Sequence, residues 1–158
     1  GELGLDCRYC HNTVERAAHA AVPPTQTCMN CHKSIRPDSQ RLAKVKESYE
    51  TGLPIEWIWV NRIADYAYFD HSAHVNRGVG CVTCHGRIDQ MEVVQRKEPL
   101  SMGWCLECHR NPLENLRPVS EVTNLAYDQR KELSAEERLE LVHLYHIQPS
   151  ENCSTCHR

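Results

Sequence analysis

One short spacing, repeated five times, constrains this chain more than anything else in it. The pairs Cys7/Cys10, Cys28/Cys31, Cys81/Cys84, Cys105/Cys108 and Cys153/Cys156 are all C-x-x-C, and together they use all ten cysteines. Each second cysteine is followed at once by a histidine: His11, His32, His85, His109 and His157. Disulfides in a secreted scaffold would explain an even cysteine count, but not a histidine at one fixed offset. Zinc ribbons also use C-x-x-C pairs, with four ligands per metal, and they too leave the histidine unexplained. Thioredoxin-like chemistry needs a single C-x-x-C. The reading that uses every residue of the pattern is C-x-x-C-H, the attachment signature of c-type haem.

The spacing suits that chemistry. Two thiols one tight turn apart can add to the two vinyl groups on one porphyrin edge. The next residue then stands over the iron, where neutral imidazole is a good axial ligand. Five haem c groups are therefore expected. They also explain a thin composition: the chain of 158 residues has one phenylalanine and no long aliphatic runs. Porphyrins would supply most of the buried apolar area. The net charge of −3 argues against a nucleic-acid partner held by a broad basic face. No run approaches the ~18 apolar residues of a membrane span. No signal peptide is visible, so a mature or trimmed chain is expected.

Five histidines remain beyond the motifs: His19, His71, His74, His143 and His146. Five irons and five spare histidines suggest bis-histidine, low-spin haems that transfer electrons and bind no substrate. Met102, in "SMGWCLECH", is a weaker candidate ligand, and its alternative role is packing against a porphyrin edge. His19 can be a ligand or a surface residue.

An internal repeat supports four of these. "HSAHVNRGVGCVTCH" (71–85) and "HLYHIQPSENCSTCH" (143–157) share the pattern H-x-x-H-x₆-C-x-x-C-H. The two histidines of each unit need not serve the same iron. Counting back by the same spacing from Cys7 lands upstream of Gly1. A short segment with one or two further ligands is therefore expected before Gly1, and one or two of the spare histidines would then be structural.

The expected fold is a multihaem cytochrome c: a mostly irregular chain with a few short helices and minimal β structure, packed around five covalent haems. It is expected to be a single domain over 1–158. Residues 1–37 would hold haems 1 and 2, 38–69 a helix and strand connector, 70–118 haems 3 and 4, and 119–158 a helix and haem 5. Pro23 and Pro24 impose an extended approach to the second motif. Residues 38–51 read as a helix capped by Asp38 or Ser39, with Leu42, Val45 and Tyr49 on one face and Gly52 at its end. "IEWIWV" (55–60) alternates like a strand, and "YAYF" (66–69) reads as a second. Trp57, Trp59, Tyr66 and Tyr68 are expected against haem faces. Residues 134–146 read as a helix with a Ser134/Glu137 capping box, placing Leu139, Val142, His143 and His146 on one face. "DQRKELSAEER" reads as a solvated charged face.

Three segments carry a family resemblance: "LGLDCRYCHNTVERAAHAAVPPTQTCMNCHKSI", "YFDHSAHVNRGVGCVTCHGRIDQMEVV" and "PLSMGWCLECHRNP". They resemble the pentahaem cytochrome c subunit of bacterial alternative complex III, a membrane quinol oxidoreductase. The Phe69-x-His71-x-x-His74 element also resembles small cytochromes of the c3 and c7 type. That second resemblance implies that His71 pairs with His85, while His74 reaches a different iron. The first implies a subunit on the periplasmic side of the cytoplasmic membrane, held there by partners or by an N-terminal anchor. It would relay electrons from quinol oxidation through five c-type haems. Its partners would be an iron–sulfur/molybdopterin-oxidoreductase-like subunit, polytopic membrane subunits and a monohaem cytochrome c. No acid–base or nucleophilic residue is expected, and the chain would not be catalytic on its own. Two other classes are distinguishable. A catalytic multihaem reductase of a small oxyanion needs one open iron, and a free soluble periplasmic shuttle needs no large subunit interface.

Overall fold

The structure is a computed structural model that describes residues 4–157. The two ends of the expected domain, residues 1–3 and 158, lie outside the described residues.

Among the described residues all regular structure is helical and short. The elements are α1 (Cys7–Cys10), α2 (Thr25–His32), α3 (Ala43–Thr51), α4 (His71–Val75), α5 (Cys81–His85), α6 (Met102–Arg110), α7 (Gln129–Glu132), α8 (Ala135–Leu144) and α9 (Cys153–Cys156). Four single 3₁₀ turns sit among the connections. Helices of one to three turns are unstable alone, so tertiary contacts must hold them, and the sequence marks their starts with caps. Asp6 accepts from the Arg8 amide and Asp70 from those of Ser72 and Ala73, while Ser101 accepts from the Trp104 amide. Ser134 and Glu137 form the expected capping box on α8. Each cap satisfies amides the helix leaves open.

The polypeptide buries few apolar side chains: Val14, Met29, Val75, Leu116 and Val122 among the described residues. Val14, Val75 and Val122 meet at the centre, with Ala20 against them. This cluster joins the loop after α1, the end of α4 and the segment before α7. Beside it Arg117 is buried, with Nη2 donating to Gln129 Oε1 at 2.7 Å and Nη1 to the Asn124 carbonyl at 3.1 Å.

Several expectations need correction. Neither "IEWIWV" nor "YAYF" is a strand. Residues 52–59 have no regular structure, and the described residues contain only two isolated bridges, Ala67–His157 and Val79–Leu116. Alternation supplies a half-apolar face but no partner edge, and an unpaired strand does not persist in water. Residues 38–51 do not form one helix: a 3₁₀ turn (Gln40–Leu42) precedes α3, and Ser39 makes no side-chain cap bond. Gly52 does end α3, in the left-handed conformation at φ 73°. The side of α3 that packs inward carries Ser48, whereas Tyr49 is exposed and lies under the Lys33 ammonium at 5.0 Å. Finally, α8 stops at Leu144 and His146 has φ 51°. His143 and His146 therefore do not share a helix face.

Candidate haem sites

Every C-x-x-C spans one helical turn, on α1, α2, α5, α6 and α9. Residues three apart on a turn lie on one side, so both thiols of each pair face together. No disulfide joins any two of the ten cysteines. Among the described residues no group of three or more His, Cys, Asp or Glu side chains could hold a metal ion.

The histidines are oriented with one consistent device. Seven rings have Nδ1 within hydrogen-bond distance of a partner, and six of those partners are peptide carbonyls. His11 reaches Ala21 O at 2.8 Å, His32 reaches Ile35 O at 3.1 Å and His71 reaches Ala18 O at 2.7 Å. His74 reaches Asp70 O at 2.7 Å, His109 reaches Ser150 O at 2.7 Å and His157 reaches Tyr66 O at 3.3 Å. The seventh, His85, faces Asn61 Nδ2 at 3.0 Å. A carbonyl can only accept, so Nδ1 carries the proton and Nε2 keeps its lone pair for a metal. These seven are the five motif histidines together with His71 and His74. His19, His143 and His146 are exposed, and among the described residues their rings make no hydrogen bond or stack.

Two pairs of rings face each other at a telling distance. His71 and His85 have ring centroids 6.5 Å apart with planes 6° from parallel, and His74 and His109 are 6.1 Å apart at 40°. Two imidazoles that held one metal between them, each through a single nitrogen at about 2 Å, would have centres about 6 Å apart. Both pairings therefore match a bis-histidine iron. Asp70 fixes α4 and Phe69 wedges against both of its rings, at 4.8 Å from His71 and 4.5 Å from His74. Burial pushes the His74 and His85 imidazoles below their usual value, as do neighbouring imidazoles, while the Asp70 carbonyl opposes this at His74. Both are therefore neutral near pH 7, the form that binds a metal.

The motifs are also joined in space, though not in chain order. Asn30 donates to the Tyr9 hydroxyl at 3.0 Å, tying the second motif to the first. Asp6 accepts from Thr123 at 2.9 Å, and the neighbouring Val122 carbonyl accepts from the Cys81 amide at 2.9 Å, tying the first to the third. The neighbouring Cys7 thiol, together with burial, raises the Cys81 thiol. α4 lends one histidine to the third motif and one to the fourth. Burial and the proximity of Cys108 and Cys105 push the Cys84 thiol up to about 12. His109 and Arg110 bind Ser150 O and Glu151, at 2.7 and 2.8 Å, just ahead of the fifth motif. The spatial order is thus second, first, third, fourth, fifth. The cysteines with exposed side chains, Cys31 and Cys153, belong to the two ends of this row.

A cleft of about 600 Å³ lies beside α6, lined by Trp104, Cys108, Asn115, Arg117, Tyr127 and Gln129 among others. Its volume falls within the usual range for cofactor pockets. Paired thiols and anchored imidazoles are the features a covalently held haem needs; the cleft itself meets only Cys108 among the thiols and no histidine. Residues 73–158, more than half of the chain, match the model of the cytochrome c3 family. The chain belongs to the cytochrome c3 family. It is a multihaem c-type cytochrome, an electron-transport protein. It is also 24% identical over 147 residues to the menaquinone reductase multihaem cytochrome c subunit of Nitratidesulfovibrio vulgaris (strain Hildenborough), covering 80% of this chain and 69% of that protein. In this cytochrome no described helix is long and apolar enough to cross a membrane.

Spacing alone located the thiols and the motif histidines. It did not locate Asn61 or the anchoring carbonyls. Any residue offers a carbonyl, so those partners leave no mark in the sequence. Met102 begins α6 and is 66% exposed, so the polypeptide itself does not pack it.

Proposed function

We propose that this cytochrome is the electron-relay subunit of a membrane-bound quinol oxidoreductase, carrying five haems as a single domain. The thioether positions would be Cys7/Cys10, Cys28/Cys31, Cys81/Cys84, Cys105/Cys108 and Cys153/Cys156, with His11, His32, His85, His109 and His157 as proximal ligands. His71 would be the second ligand at the third haem and His74 at the fourth. His19, His143, His146 and Met102 stay candidates for the others. The observation that carries the reading is the pair of facing imidazole couples, at 6.5 and 6.1 Å, both served from α4. Each haem would supply a one-electron couple when bound, and at the third and fourth motifs the second imidazole, His71 or His74, would leave no open site for substrate. The polypeptide's part is to orient imidazoles, exclude water and set the spacing between motifs.

The similarity to a subunit named for menaquinone reductase supports a place beside quinone-reactive membrane subunits. The finer reading is alternative complex III, on the periplasmic side. The partners there would be an iron–sulfur/molybdopterin-oxidoreductase-like subunit, polytopic membrane subunits and a monohaem cytochrome c. The exposed segment with Leu53, Trp57, Ile58 and Trp59, together with Tyr66 and Tyr68, would lie against haem faces or those partners. The test is expression with the c-type maturation machinery and intact mass spectrometry. Five covalent haems per chain and a wholly low-spin spectrum are expected. Reduction of the purified native complex by a menaquinol analogue should then bleach all five. A haem count below five, or a complex that ignores quinol, refutes the corresponding part.

A further inference from the structure

His85 differs from the other anchored histidines because a side chain, not the backbone, meets its Nδ1. As placed, Asn61 Nδ2 faces that nitrogen at 3.0 Å, while Asn61 Oδ1 is buried without a hydrogen-bond partner among the described residues. This arrangement is costly twice over. A buried amide oxygen goes unmet. Donation into Nδ1 would also force the proton onto Nε2 and remove the lone pair that a motif histidine must offer. An amide's oxygen and nitrogen are alike in size and shape, and the hydrogen-bond network decides between them. Turning the amide over removes the second fault: Oδ1 accepts from the His85 Nδ1–H, and Nε2 is free.

We infer that Asn61 is the positioning residue for His85: its Oδ1 takes the Nδ1 proton and so sets the ring plane and donor strength of the ligand at the third motif. The inference rests on the haem-binding reading above. Its reach comes from the geometry of the couple. The His71 ring is held by the Ala18 carbonyl and that of His85 by Asn61. The 6° between their planes is the joint result of these two anchors. The His74–His109 couple, anchored on two peptide carbonyls, settles at 40°. Asn61 sits in a segment without regular structure, pinned where the Arg62 carbonyl accepts from Arg96. The third haem is therefore the one whose ligand orientation depends on a replaceable side chain.

The experiment uses the holoprotein with Asn61→Leu and Asn61→Asp. Peptide mass spectrometry of the native protein first establishes haem at Cys81/Cys84; its absence there would overturn the haem reading and this inference with it, whereas the variants test this inference alone. With haem in place, Asn61→Leu removes the acceptor at similar volume. One low-spin paramagnetic-resonance signal should then move away from the shape given by parallel imidazoles. One of the midpoint potentials should shift upward, because a less basic imidazole stabilises iron(III) less. Asn61→Asp supplies a stronger acceptor, so that signal should keep its shape and the same potential should shift downward. Opposite signs are the diagnostic result. Unchanged spectra and potentials in Asn61→Leu overturn the inference, and so does a shift in the same direction in both variants, which marks a merely structural role. If the leucine variant does not fold, Asn61→Asp decides alone: a downward shift of one potential upholds the inference, and no shift overturns it.

Discussion

Gly78 and Gly52 offer a controlled test of how the ligand-bearing loop is held. Both have positive φ, 78° and 73°. Among the described residues nothing lies within 4 Å of a Cβ added at Gly52, whereas at Gly78 that atom would stand 2.2 Å from the Arg117 carbonyl oxygen and 3.2 Å from Tyr145 Cε2. Gly52→Ala should thus cost only the left-handed backbone penalty, about 1–2 kcal/mol. Gly78→Ala carries the same penalty and a steric one. Ordinary contact begins at 3.4 Å, so the Arg117 segment must withdraw by more than an ångström. The Arg117 amide donates to Gly78 O at 2.9 Å, and the bridge Val79–Leu116 lies alongside. Overpacking adds about 1–3 kcal/mol, and a disrupted buried hydrogen bond adds about 1–3 kcal/mol more. Gly78→Ala should therefore exceed Gly52→Ala by at least about 2 kcal/mol. Because Gly78 lies between α4 and Cys81, the loss should appear first as disturbed haem at the third motif. Guanidinium unfolding followed by haem absorbance and far-ultraviolet circular dichroism measures both variants. Equal midpoints would refute the steric account and show that the loop yields without resistance.

Three further outcomes are expected. His74→Ala should open one iron, so that carbon monoxide binds at the haem on Cys105/Cys108; difference spectra with peptide mapping check this, and carbon monoxide bound to another haem would break the His74–His109 assignment. Gln129→Leu should strand the buried Arg117 guanidinium, whose Nε has no hydrogen-bond partner, at about 1.5–3 kcal/mol; Arg117→Met in the same chain should recover part of this, since an apolar pair replaces a buried polar one with little loss. A double-mutant cycle reads that coupling. The Arg8 side chain, aided by the Arg8 amide and Thr123, holds the Asp6 carboxyl well below the usual carboxylate range. Its folded value is depressed, so its stabilisation is complete above the unfolded carboxylate value and lost as the pH falls below about 4. Asp6→Asn should flatten the acid limb of an unfolding-against-pH curve there and do nothing of that kind near neutrality.

Local chemistry was legible in the chain because it is settled within one helical turn. C-x-x-C-H places two thiols and an imidazole together whatever surrounds them, and the family comparison agrees with the c-type haem this implied. The Ser134/Glu137 box and the Gly52 stop were equally local, each a single turn completed by its own residues. The resemblance to small cytochromes implied that His71 pairs with His85 at one iron; the structure stands the two rings 6.5 Å apart, 14 residues apart in the chain.

The tertiary structure decided everything that depends on distant partners. Apolar alternation in 55–60 promised a strand, but a strand exists only where another backbone pairs with it, and among the described residues none does. The repeat promised equivalent histidines at 143 and 146, yet α8 ends between them because Tyr145 caps it and His146 turns left-handed. Nothing in the spacing told that His74 would meet His109, that the second motif would lie beyond the first, or that Asn61 would stand over His85. Those choices belong to a small central core and a handful of long-range hydrogen bonds. A sequence specifies such contacts only through the fold as a whole, because a carbonyl or an amide can serve any partner that packing brings within 3 Å or so.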